Sequence, residues 1–148
     1  MTNDEMKKEL SESEIMFLTI IGEARGEPIE GQVAVANVIM NRSKIRKQYI
    51  KDVCLADRQF SCWNQNDPNR RILDILADEM MKGGYNYDKY KQIQWVVDGI
   101  LSNKLKDNTK GRDYYMTTSL FNSDSKPSWS KAPKTTPIKI GSHIFLNV

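Results

Sequence analysis

Apolar residues recur at helical spacing through the first two-thirds of the chain. Ile15, Leu18 and Gly22 share one helical face, and Ser11 with Glu14 has the spacing of a capping box. The run that follows is the most apolar of the helical runs, so we expect its helix at the centre of the fold. Residues 43–66 follow no regular pattern. The spacing predicts helices over residues 11–26, 28–42, 68–82 and 88–101.

The pattern changes after Leu105 to short runs of strand-forming residues. Residues 114–118 form one such run, while residues 138–140 and 143–147 flank Gly141-Ser142, a two-residue hairpin signal. We therefore predict an α+β fold, in which a mainly helical lobe is followed by a small antiparallel β lobe. The 148 residues have the size of one domain, with residues 1–10 expected to be a flexible N-terminal extension, and we expect a monomer.

Composition narrows the class of protein. With 39% hydrophobic and 28% charged residues, the chain has the make-up of an ordinary globular domain. No apolar run approaches the roughly 18 residues that a membrane span needs, so we expect no stable membrane insertion. The first fourteen residues are dense in charge and lack the apolar core of a secretion signal. We therefore expect synthesis in the cytoplasm without a signal peptide.

Few residues are available for metal or cofactor chemistry. A single histidine, His143, and two cysteines argue against a zinc hydrolase, so we expect neither a metal nor a cofactor. The net charge of +3 is modest, and no cluster of lysine and arginine is interleaved with aromatic residues. We therefore expect no nucleic-acid partner.

Four segments, in this order along the chain, carry a family resemblance. They are Gly-Glu-Ala-Arg-Gly-Glu at 22–27, the run from Gly31 to Arg42, Phe-Ser-Cys-Trp at 60–63, and Gly-Ser-His-Ile-Phe at 141–145. Together they resemble the spore-cortex-lytic and cell-wall hydrolase family over roughly residues 13–147. The resemblance implies a fold similar to the lysozyme-like lobe of lytic transglycosylases. It also implies that peptidoglycan is the partner and that its glycan strand is cleaved, with Glu23 as the catalytic acid.

The position of Glu23 agrees with this role. Cleavage of a glycosidic bond needs a protonated carboxyl beside the leaving oxygen. Glu23 lies in the last turn of its predicted helix and follows Ile20 and Ile21, so the helix dipole and the apolar surroundings both disfavour its charge. Glu27 is the nearest second carboxylate, but we expect it to begin the next helix. A single carboxyl suits a lytic transglycosylase, although a muramidase that uses water stays open.

Polar and aromatic side chains are needed to hold the sugars around this acid. Amides and hydroxyls bind sugar hydroxyls, and aromatic rings stack on the apolar faces of sugar rings. Trp129 is a weaker candidate for stacking. Asn41 and Arg42 could have only a structural role at the end of their helix, or Arg42 could brace Glu23 or Glu27. The residues expected to contact substrate are Gln32, Asn41, Ser61, Trp63, Tyr115 and His143.

Two other readings remain open at this point. Cys62 with His143 is the minimum pair for a cysteine peptidase that cuts peptidoglycan stems, although no residue that would orient His143 is identifiable. The second reading is a catalytically inactive glycan-binding or virion module on the same scaffold. The expected setting is the cell wall, reached by a phage endolysin through a phage-made membrane pore, with a spore protein as the alternative.

Overall fold

The sheet and the helices follow one another along the chain, as the α+β prediction requires. A computed structural model describes all 148 residues. Single 3₁₀ turns lie at Ser61–Trp63, Asp88–Tyr90 and Ser128–Ser130. The helices are α1 (Asn3–Glu9), α2 (Glu12–Ala24), α3 (Ile29–Arg46), α4 (Ile50–Leu55), α5 (Arg70–Met81), α6 (Lys91–Leu101) and α7 (Thr118–Phe121), and the strands are β1 (Tyr114–Thr117), β2 (Ile138–Ile140) and β3 (His143–Leu146).

Helix α2 is the centre of the helical lobe. Its predicted capping box is present, since Ser11 Oγ accepts from the Glu14 N–H at 3.1 Å and Glu14 Oε1 accepts from the Ser11 N–H at 2.8 Å. Every residue from Ile15 to Ile21 is fully buried. The helix packs against α3, α4, α5 and α6, whereas α3, for which we predicted the central place, contacts α2, α4, α6 and the sheet. Over the observed bounds α2 is the more apolar helix, because α3 continues to Arg46 and includes many polar and charged residues.

The first ten residues are not the flexible extension that we expected. Thr2 caps α1 by accepting from the Glu5 N–H at 3.1 Å, and α1 contacts α4. Met6 is 0% exposed and Leu10 is 3% exposed. The buried guanidinium of Arg70 also donates to Asn3 Oδ1, which fixes the start of the chain against α5. The N-terminal segment is therefore part of the core.

The region from residue 43 to residue 66 is more regular than its pattern indicated. Helix α3 continues to Arg46, and α4 buries Val53, Cys54 and Leu55. A helix of six residues is too short to display a periodic stripe, so the pattern gave no sign of it. No helix of the structure combines the length and the apolar character that crossing a membrane requires.

The sheet has the strand order β1-β3-β2, with both pairs antiparallel. The predicted hairpin joins β2 to β3 through Gly141-Ser142, and Gly141 adopts φ 60°, a left-handed conformation that favours glycine. In the other pair, Tyr115 lies opposite Phe145 and Met116 opposite Ile144. Strand β1 contacts α3, so the sheet brings Tyr115 to the helical lobe.

Candidate active site

Glu23 lies at the bottom of a polar cleft between the two lobes. Its Oε1 accepts a hydrogen bond of 2.5 Å from the hydroxyl of Tyr115, and its Oε2 accepts one of 3.1 Å from the backbone N–H of Cys62. These two bonds fix the plane of the carboxyl. The cleft has a volume of about 320 Å³ and is lined by Glu23, Arg42, Arg58, Gln59, Ser61, Asn64 and Tyr115.

A close contact between α2 and the 3₁₀ turn aims the Cys62 N–H at Glu23. A Cβ on Gly22 would lie 2.5 Å from Cys62 Cβ and 2.6 Å from Cys62 Sγ, so only glycine fits at this position. Because Gly22 immediately precedes Glu23, the same contact that brings the turn close also brings its N–H to the carboxyl.

Tyr115 reaches Glu23 from the sheet. Its ring packs edge-on to His143, with 5.0 Å between the ring centroids, and lies 5.6 Å from the ring of Phe145. Burial and the nearby carboxyl of Glu23 raise the pKa of Tyr115 well above its usual value. The phenol therefore remains a proton-bearing donor throughout the neutral range.

A second cavity continues the cleft on the other side of Glu23. Its volume is about 390 Å³, and its lining includes Ser61, Thr117, Trp129 and His143. Ser61 is exposed and borders both cavities. Trp129 is 36% exposed and its ring lies 5.2 Å from that of Tyr114, so its indole is available at the rim. An extended polymer could therefore lie across the carboxyl and beside a stacking surface.

Glu27 joins the helical lobe to the hairpin and takes no part in the lining of the cleft. Its Oε1 accepts from the Ser142 N–H at 2.9 Å, its Oε2 accepts from the Ser142 hydroxyl at 2.6 Å, and His143 Nδ1 lies 3.2 Å from Oε1. Partial burial alone would raise the pKa of Glu27, but the bonds from Ser142 and the charge of His143 lower it overall. Glu27 does not begin the next helix as we expected, because α3 starts at Ile29 and has no side-chain cap.

Arg42 does not brace either carboxylate. Its Nε donates to the Asp113 carbonyl oxygen at 2.6 Å, and its guanidinium lies 4.9 Å from the ring centre of Phe60 and 4.4 Å from that of Tyr114. Burial lowers the pKa of Arg42. The side chain therefore supports the wall of the cleft by cation–π contacts and presents its charge there.

Two of the amides predicted to bind substrate are structural. Gln32 is 3% exposed and donates to the carbonyl oxygens of Ala24 and Glu27 at 3.3 Å each, which holds the corner between α2 and α3. Asn41 is 9% exposed, and its Nδ2 donates to Asp107 Oδ2 at 3.0 Å and to the Arg112 carbonyl oxygen at 2.9 Å. Neither amide points into the cleft, so both assignments are corrected.

Trp63 is also a core residue and does not line the cleft. It is 2% exposed, and its indole N–H donates to Thr19 Oγ1 at 2.9 Å. In the turn at Ser61–Trp63, Ser61 is exposed and lines the cleft, whereas both Cys62 and Trp63 are buried. Of the predicted substrate residues, the structure brings Ser61, Tyr115 and His143 together with Glu23.

A cysteine nucleophile is contradicted by the surroundings of Cys62. The thiol is 0% exposed, and burial together with the neighbouring Glu23 raises its pKa, whereas a reactive cysteine needs a lowered pKa. His143 has Glu27 as its neighbour, and both Cys54 and Cys62 are free.

The cleft also contains residues that the sequence pattern did not indicate: Arg58, Gln59 and Asn64. They lie in the irregular stretch between α4 and α5, where no period marks an inward face. Arg58 has φ 61°, an uncommon conformation for a residue other than glycine, but this conformation cannot be read from the sequence.

Comparison with known proteins places the chain in a family. A family model described as cell wall hydrolase matches residues 26–146, a range that begins just after Glu23. A spore cortex-lytic enzyme of Halalkalibacterium halodurans is 34% identical over 84 residues, which cover 50% of this chain and 26% of that protein. A spore cortex-lytic enzyme of Oceanobacillus iheyensis is 37% identical over 71 residues, 44% of this chain and 26% of that protein.

The matched segment is thus about a quarter of the length of these two relatives. No solved structure matches the chain. The family model, by contrast, covers most of the sequence, from the corner after α2 to the last residue of β3. The chain therefore belongs to the cell wall hydrolase family.

Proposed function

We propose that this chain cleaves the glycan strand of peptidoglycan between N-acetylmuramic acid and N-acetylglucosamine, as a lytic transglycosylase with Glu23 as its single acid and base. The observation that carries the proposal is that the cleft contains one carboxylate, held by Tyr115 and the Cys62 N–H. Membership of the cell wall hydrolase family supports peptidoglycan as the substrate.

The reaction needs Glu23 to give up one proton and then to take up another. Protonated Glu23 gives its proton to the oxygen that joins the two sugars, the bond from that oxygen to C1 of the muramic acid breaks, and positive charge develops at C1. The carboxylate of Glu23 then takes the proton of the muramic acid 6-hydroxyl, whose oxygen attacks C1. An anhydro ring closes, Glu23 is protonated again, and no water is consumed.

The absence of a second carboxylate in the cleft favours this route over hydrolysis. Glycosidases that use water place a second acid about 5 to 9.5 Å from the first, either as a nucleophile or as a base for water. Glu27, the nearest candidate in sequence, is bound to Ser142 and His143. A muramidase would need a water molecule positioned by the neutral groups of the cleft.

The setting follows from the substrate. We place the action of the chain at the cell wall, as a monomer that needs no nucleic acid, and we propose a phage endolysin released through a membrane pore. A spore protein is the alternative, and the names of the two relatives favour it.

Glu23→Gln tests the proposal, because it keeps the shape of the side chain and removes the acid. We expect loss of wall clearing by at least about a hundredfold, as for a general acid, whereas Glu30→Gln on the exposed start of α3 retains activity. Mass spectrometry of the wild-type digest should find muramic ends lighter by one water. Reducing ends would support a muramidase, new amino groups a peptidase, and wall binding without soluble products an inactive module.

A further inference from the structure

Positive charge lines one end of the cleft and has no salt-bridge partner in the chain. Arg42 and Arg58 border both the cavity of Glu23 and an adjoining cavity of about 330 Å³, and Arg46 lies directly behind them. None of these three guanidiniums forms a salt bridge. We call Arg42, Arg46, Arg58 and Gln59 the arginine pocket.

Gln59 explains why the charge remains. Its Oε1 accepts from Arg46 Nη1 at 3.0 Å and from Arg42 Nη1 at 3.4 Å, so a neutral amide occupies the place where a carboxylate would neutralise both arginines. Asp113 accepts from Arg42 Nε only through its backbone oxygen, while its carboxylate accepts from Asn147 Nδ2 at 2.9 Å. The arginines are left free to attract an external anion.

Burial makes this arrangement costly unless an anion completes it. Arg42 is 4% exposed, and its position is fixed by the rings of Phe60 and Tyr114. A buried guanidinium without a counter-charge is destabilising, and planar guanidinium groups bind carboxylates in two-point contacts. Arg58, which is exposed at φ 61°, adds a second cation at the mouth.

We propose that the arginine pocket binds a carboxylate on the side chain of muramic acid while the glycan lies across Glu23, so that the enzyme prefers strands with charged muramic acid. This inference rests on the proposed function. The N-acetylated sugar rings are neutral, and the lactyl group and the peptide attached to it carry the carboxylates. The anion therefore comes either from a free lactyl group or from the stem peptide.

The test compares four substrates made from one purified wall. The first substrate is the wall with its stem peptides. The second is the glycan from which an amidase has removed the stem peptides, so that the lactyl carboxylate is free. The other two are the same materials after their carboxylates have been capped with ethylamine and carbodiimide. For each protein, the readout is the ratio of kcat/KM on the uncapped material to kcat/KM on the capped material, which cancels any general loss of activity.

For the wild type we expect a ratio of about ten, the effect of one charge-assisted bond, and it should arise in KM. A preference confined to the peptide-bearing wall identifies the stem as the source, and a preference on the amidase-treated glycan identifies the lactyl group. Two variants should bring the ratio close to one. Gln59→Glu supplies an internal carboxylate to Arg42 and Arg46, and Arg58→Gln removes the cation at the mouth of the pocket.

Matched controls carry the same charge changes outside the pocket. Gln48→Glu and Arg71→Gln alter exposed residues that border none of the cavities at Glu23, and both should keep the wild-type ratio. A wild-type ratio of one on both materials, in a protein that still digests them, overturns the pocket and leaves the role of Glu23 intact. A preference that survives in both pocket variants also overturns it, whereas failure to release any muropeptide refutes the proposed function itself.

Discussion

The hydroxyl oxygen of Tyr115 lies 2.5 Å from Oε1 of Glu23, so a strand residue and a helix residue meet at one carboxyl. Helix α2 supplies the carboxyl, and the sheet supplies a hydroxyl that orients it. Several measurable consequences depend on this meeting point and on the contacts around it.

Tyr115→Phe removes the hydroxyl and keeps the ring. We expect kcat to fall by about ten- to a hundredfold, because the carboxyl loses one of its two positioning bonds. When Tyr115→Phe is added to the Glu23→Gln variant, it should lower kcat little further, since the two residues act as one unit. Initial rates on purified walls for the four proteins of this cycle provide the measurement, and additive losses would show that Tyr115 acts elsewhere.

Trp63 and Trp129 should respond in opposite ways. Trp63→Ala should lower the free energy of unfolding by about 3–5 kcal/mol, because it empties a core position and removes the bond to Thr19. Trp129→Ala should change stability by less than about 1 kcal/mol and should raise KM, since the indole lies at the rim of the cleft. Urea unfolding and binding to purified walls separate the two effects. A stable Trp63 variant with weakened wall binding would reverse our correction.

Gly22→Ala should reduce activity by disturbing the 3₁₀ turn. The new Cβ would overlap Cys62, so the turn must move away from α2 and its N–H must move away from Glu23. Gly26→Ala is the matched control, because nothing lies within 4 Å of a Cβ there. We expect about tenfold lower kcat for the first variant and no loss of stability for the second. Equal kcat values would show that the turn does not position the carboxyl.

Stability should fall in acid through Glu27. Its pKa in the folded state lies below the ordinary value of 4.5, so its stabilising effect is present above pH 4.5 and is lost as the pH falls through the folded value. Glu27→Gln should cost about 1–2 kcal/mol at pH 7 and should flatten the decline below pH 4.5. Urea unfolding at pH 7 and at pH 3.5 measures both effects. An unchanged acid decline in this variant would assign it to other carboxylates.

Iodoacetamide should not inactivate the folded protein. Both thiols are fully buried, burial raises the pKa of Cys54 to about 12, and the pKa of Cys62 is raised as well. Mass spectrometry should find no label in the native protein and two labels after unfolding in urea. Rapid native labelling at Cys62 with loss of activity would revive the cysteine peptidase.

The chain's pattern predicted the features that depend on neighbouring residues. The capping box of α2, the Gly141-Ser142 hairpin and the change from helices to strands each depend on residues a few positions apart. Glu23 could be selected because its segment is distinctive and because it ends an apolar helix. The α+β class followed from the same local signals.

The errors concern side chains whose partners are distant in the sequence. Asn41 was expected to bind sugar, but its partner Asp107 lies 66 residues away. Trp63 and Ser61 belong to one short turn, and no periodic pattern distinguishes the side chain that enters the core from the one that faces the cleft. Only the packed structure shows which of these side chains are buried, because burial depends on which distant segments come into contact.

The strand order of the sheet has a consequence for the nascent protein. β3 is the last strand to leave the ribosome, yet it lies between β1 and β2 and pairs with both. Until it emerges, β1 has no neighbour and Tyr115 has no scaffold, even though Glu23 was translated long before. The pairing that places Tyr115 beside Glu23 is therefore completed only after β3 has emerged, and a nascent chain that still lacks β3 should not hold the carboxyl in place.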